Sequence, residues 1–147
     1  MKVLIGIGNS FRGDDAAGLK VAEATGGIAL ESPDAAEILA TWEGAAELIV
    51  VDAVESGAAP GFIHRIDASA RPLPAELFTT DSHHFGLAQA IELGRALGRL
   101  PARVLVYGIE GRSFGYEEAI SEEVRVAIGL LVKELGERNG GSQTAAL

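Results

Sequence analysis

Three apolar runs of the chain show no alternation: KVLIGIG (2–8), ELIVVDAV (47–54) and RVLVYGI (103–109). Strands covered by helices on both faces read in this way. Between them the pattern changes to a helical period. DAAGLKVAEA (15–24) has a small-residue face of Gly18, Val21 and Ala22. Ala35, Ile38, Leu39 and Trp42 follow i, i+3, i+4, i+7 spacing. Ser32 as N-cap, Pro33 at the first helical position and Asp34 in the first turn mark that helix's start, and Gly44 its stop. SHHFGLAQAIELGRAL (82–97) predicts a third helix. A fourth, from Ile120 to Gly136, puts Ile120, Val124, Ala127, Ile128, Leu131 and Leu135 on one face.

Two shorter strands complete the pattern, GIALE (27–31) and GFIHRID (61–67). The Gly/Pro-containing link before the second is too short for a helical crossover, which predicts an antiparallel strand. Residues 68–81 and 110–118 read as loops, and NGGSQTAAL (139–147) as a mobile polar tail. The expected architecture is α/β: a three-layer α/β/α sandwich on a mainly parallel five-stranded sheet with one antiparallel strand. It forms a single domain over residues 1–138.

Composition narrows the function classes. A chain of 147 residues with 48% hydrophobic positions can bury a real core. Its formal charge of −9 opposes binding to nucleic acid or anionic membrane. The absence of cysteine excludes disulfides, thiolate metal sites and a Cys nucleophile. The opening apolar stretch is glycine-interrupted and reaches Asp14 too soon for a signal peptide. No run is long enough to span a bilayer. The expectation is a soluble, cytoplasmic protein.

The candidate chemistry begins in GIGNSFRGDD (6–15). Strand, glycine turn and helix would suit a phosphate loop, but the dinucleotide fingerprint fails at Phe11 and no Gly-Lys-Ser/Thr follows. Asp14 and Asp15 instead occupy the helix start, where carboxylates compete with an anion for the same amides. Asp14 reads as a helix cap. For Asp15 a cap and a site residue are equally consistent readings. Asp52 ends the run LIVVD, on the sheet edge where α/β sites form. His83 and His84 begin the third helix, and its connection can reach the same edge. His64, inside a strand, reads as structural. Two carboxylates and an imidazole on one edge can make a divalent metal site with open positions. The same carboxylates can instead activate water as general base. No Ser-His-Asp or His-Glu-x-x-His pattern is present.

GIGNSFRGDDAAG, LIVVDAV, SHHFGL and VYGIE…AISEEV resemble, in order and spacing, the hydrogenase maturation proteases. These endopeptidases trim the C-terminus of the NiFe-hydrogenase large-subunit precursor. The resemblance implies the same α/β/α sandwich and a nickel-recognising triad at Asp15, Asp52 and His83, also the catalytic set. The frame His-x-x-Gly-Leu selects His83 over His84. It implies a nickel supplied by the substrate rather than permanently bound, and the large-subunit precursor as partner; a monomer is the separate expectation. The chain departs from the family pattern at Ala16 and over Glu31–Asp34. Two rival expectations accompany it: a non-hydrolytic, nickel-dependent chaperone or binding module, and a nucleotide-binding domain.

Overall fold

A computed structural model describes residues 1–74, 77 and 85–146. Five strands form one sheet: β1 (Lys2–Gly8), β2 (Ile28–Glu31), β3 (Glu47–Val54), β4 (Ile63–Asp67) and β5 (Arg103–Glu110). Their order is β2-β1-β3-β5-β4. All neighbours are parallel except β4, which runs antiparallel to β5. Among the described residues, four α-helices cover the sheet: α1 (Ala17–Thr25), α2 (Ala35–Thr41), α3 (Phe85–Ala96) and α4 (Glu122–Ala146).

The unalternating runs have the expected cause. Along β3, Leu48, Val50 and Val54 join one core with Ile38 and Trp42 near α2 and with Leu87, Ala90 and Ile91 of α3. Ile49, Val51 and Ala53 point the other way, into a core with Val21 of α1 and Val124, Ala127 and Leu131 of α4. Every second residue thus serves a different hydrophobic layer. The three-layer sandwich, the mainly parallel sheet and the one antiparallel strand are as the sequence pattern predicts.

Several boundaries differ. Gly13–Ala16 forms a 3-10 turn ahead of α1, so Asp14 and Asp15 precede the α-helix. Asp34, not Ser32, caps α2, its side chain accepting from Glu37 N–H at 2.8 Å. An Asp with a Glu three residues on has the reach to form this contact, while Ser32 takes a positive φ of 39° outside the helix. The helix ends at Thr41, ahead of Gly44. Beyond Gly136, α4 continues across the stretch read as a polar tail. That stretch contains no proline, and each added residue gains a backbone bond once a helix is nucleated. The expected loop 68–81 is described through Pro74 and at Leu77, which packs on the α2/α3 core.

Candidate functional site

The sheet order contains a reversal. The connection through α1 carries the chain from β1 to β2 at one edge, and that through α2 brings it back past β1 to β3. The two helices lie on opposite faces. The carboxyl ends of β1 and β3 flank this switch point, the place where α/β proteins generally form their sites. Asp15 follows β1 and Asp52 lies near the end of β3, and the 3-10 turn packs against β3.

Asp15 is 1% exposed and Asp52 0%. The turn bearing Asp15 is held by backbone bonds from Asp15 N–H to Arg12 C=O (3.0 Å) and from Asn9 N–H to Asp15 C=O (3.1 Å). Gly8 makes this approach feasible, since a Cβ there would lie 2.1 Å from the Asp15 carbonyl oxygen. The Arg12 guanidinium stands beside the carboxylate, Nη1 to Oδ2 3.7 Å. Asp52 shares the strand parity of Leu48, Val50 and Val54 and so faces the α2/α3 layer. Its Oδ1 accepts from Ala53 N–H at 2.8 Å. The strand runs on to Val54, so Asp52 is inside it rather than at its end.

His83 and His84 lie outside the described residues. The helix they were expected to begin, α3, is described from Phe85 and packs on α2 through Gly86, on the face that Asp52 serves. Among the described residues, no three His, Cys, Asp or Glu side chains are grouped to hold a metal.

Asp14 departs from its cap reading. No side-chain cap bond is made at that turn. The fully buried carboxylate accepts instead from Arg112 and Ser113 N–H and from the Ser121 N–H and hydroxyl, all far along the chain. A second polar cluster was also missed. Glu110, 1% exposed at the end of β5, accepts from Ser56 N–H (2.8 Å), the Ser56 hydroxyl (2.6 Å) and Gly57 N–H (3.3 Å). His64 Nε2 lies 3.0 Å from its Oε1. Burial works against the Glu110 charge, but the bonds from Ser56, His64 and Gly57 outweigh it and hold the carboxyl below its ordinary range. The available signal was a glutamate closing the apolar run RVLVYGI. His64 is structural, as expected, anchoring β4 to β5 and meeting the Phe62 ring edge-on at 4.7 Å.

A family model described as hydrogenase maturation protease matches residues 33–137. That stretch includes Asp52 and His83 and begins after Asp15. Among solved structures, the chain is similar to the hydrogenase maturating endopeptidase HybD from E. coli. The two are 23% identical over 95% of this chain and 93% of that one, with a TM-score of 0.81. It is similar to the hydrogenase maturation protease HybD from Thermococcus kodakarensis, at 23% identity over 92% and 97%, TM-score 0.74. A hydrogenase 2 maturation peptidase from a Thaumarchaeota archaeon is 26% identical over 95% and 97%, TM-score 0.66. No curated protein matches the chain. No helix among the described residues is long and apolar enough to cross a membrane.

Proposed function

We propose, for a chain that belongs to the hydrogenase maturation protease family and is thereby a peptidase, a specific substrate and a specific site. The substrate is a NiFe-hydrogenase large-subunit precursor that already carries its nickel, and the product is that subunit without its C-terminal peptide. Asp15, Asp52 and His83 recognise the nickel, which arrives with the substrate as its cargo. The observation that supports this reading is that Asp15, in the turn that follows β1, and Asp52, towards the carboxyl end of the neighbouring β3, are both closed off from solvent. A buried carboxylate is costly unless it meets donors or a cation. Asp15 and Asp52 supply oxygen donors and His83 a nitrogen donor, a set suited to a divalent metal carried by the substrate. Nickel held by Asp15, Asp52 and His83 would supply positioning and Lewis-acid polarisation at the peptide bond, and the enzyme's own task is to orient that bond and water.

The test is to incubate the protein with nickel-loaded and nickel-free precursor and weigh the large subunit by mass spectrometry. Truncation only of the nickel-loaded form is expected, with Asp15→Asn, Asp52→Asn and His83→Ala each inactive and His84→Ala active. Absence of cleavage with a verified cognate precursor sinks the substrate assignment. Nickel-dependent capture without truncation would instead assign the chaperone role. Inactive His84→Ala beside active His83→Ala would reverse the choice of histidine.

A further inference from the structure

We infer that Asp14 is a positioning residue for this peptidase, acting on Asp15 through the segment between β5 and α4 and through Arg12. The inference rests on the reading of Asp15 as a working carboxylate. Asp14 Oδ2 accepts from Arg112 N–H (2.8 Å), Ser113 N–H (2.9 Å) and the Ser121 hydroxyl (2.8 Å), and Oδ1 accepts from Ser121 N–H (2.7 Å). Both ends of the 111–121 segment are thus fastened to one carboxylate. The backbone adds to the clamp: Asp14 N–H donates to Ser113 C=O (2.7 Å) and Glu117 N–H to Phe11 C=O (2.8 Å).

The clamp has an output. Phe114, in the middle of the fastened segment, accepts from Arg12 Nε at 3.2 Å. The same guanidinium presents Nη1 to Asp15 Oδ2. The Tyr116 ring, also on the segment, lies 5.9 Å from the Arg12 guanidinium carbon. Asp14 therefore sets the segment, the segment sets Arg12, and Arg12 sets the electrostatic surroundings of Asp15. An asparagine cannot replace Asp14, because all four of its partners are used as donors and the amide nitrogen would face at least one of them. Burial of the site makes such a mismatch consequential.

The experiment is cleavage of nickel-loaded precursor by the full chain, measured well below each variant's Tm, with hydrogen exchange as a second readout. Asp14→Asn is expected to lower kcat about tenfold, with a smaller change in KM, and to speed amide exchange at Arg112, Ser113 and Ser121. In the Arg12→Ala background, Asp14→Asn should lower kcat by no more than about twofold further. Glu110→Ala, which removes an equally buried carboxylate that holds the Ser56–Gly57 turn rather than Asp15, should lower Tm and leave kcat intact. Should Asp14→Asn fail to fold, Ser121→Ala removes only the hydroxyl donor and should lower kcat roughly threefold. Wild-type kcat in Asp14→Asn or, where that variant does not fold, in Ser121→Ala, beside an inactive Asp15→Asn, overturns the inference alone. So does a full multiplicative loss in the double variant, or an equal kcat loss in Glu110→Ala. Wild-type cleavage by Asp15→Asn overturns the reading of Asp15, and the inference with it.

Discussion

Adding one methyl group at Gly8 tests how closely the Asp15 turn is fitted to the sheet. An ideal Cβ at Gly8 falls 2.1 Å from the Asp15 carbonyl oxygen, whereas ordinary contact begins at 3.4 Å, so the turn must retreat by about 1.3 Å. It cannot do so freely. The same carbonyl accepts from Asn9 N–H, and Gly8 C=O itself accepts from Ser32 N–H at 2.8 Å. Overpacking of this kind costs roughly 2–3 kcal/mol. The better strand propensity of alanine returns a fraction of that, about 0.5–1 kcal/mol. For a chain of this size the net is a fall in Tm of roughly 2–10 °C. Displacement of a catalytic group by about 1 Å costs on the order of a hundredfold in rate, so precursor cleavage by Gly8→Ala should fall far more than its stability does. Thermal unfolding by circular dichroism and the mass-spectrometric cleavage assay measure the two effects. Gly129→Ala is the control: a Cβ there has no neighbour within 4 Å on α4. It should raise stability by about 0.5–1 kcal/mol and leave cleavage unchanged. A Gly8→Ala protein with wild-type Tm and wild-type rate would refute the argument that this glycine exists for close approach.

Further outcomes follow from other contacts. Glu110 has its folded pKa held below the ordinary glutamate value of 4.5, so its stabilisation is complete above that value and is lost as pH falls through the folded pKa. Chemical denaturation should therefore show Glu110→Gln less stable than wild type at pH 7, with the difference vanishing in acid; a constant difference across pH would contradict the assignment. Asp34→Ala, which removes the acceptor for Glu37 N–H, should cost about 1 kcal/mol. Ser32→Ala should change stability by less than about 0.5 kcal/mol, and the reverse ranking in urea titrations would restore Ser32 as the cap.

The layers were legible because burial on two faces leaves a plain mark: β3 carries apolar residues at consecutive positions, and its bounds, Glu47–Val54, coincide with the run that predicts it. The antiparallel β4 was legible from the brevity of the link before it. Asp15 and Asp52 could be singled out because each is a charged residue beside an apolar strand on the sheet's carboxyl side. Asp14's role was not legible, since its partners lie beyond Gly111 and only the folded chain brings Arg112, Ser113 and Ser121 to it. Glu110 and Ser56 were hidden for the same reason, their contact being made across the β3/β5 pair. The cap of α2 was misread because Ser32, Pro33 and Asp34 all carry start signals. Side-chain reach to the third amide decides among them.

The place of β5 in the sheet has a consequence for how the molecule is made. It sits between β3 and β4, two strands that precede it in the chain, and it is the strand on which β4 pairs. During synthesis from the N-terminus, β4 emerges with its hydrogen-bonding partner still untranslated, and β3 offers one bare edge until β5 arrives. Non-local pairing of this kind is slow and leaves strand edges open to foreign pairing. The peptidase therefore assembles late and as a whole. A chain halted after α3 lacks the strand that pairs with both β3 and β4, so premature release yields a fragment with open strand edges rather than a closed sheet.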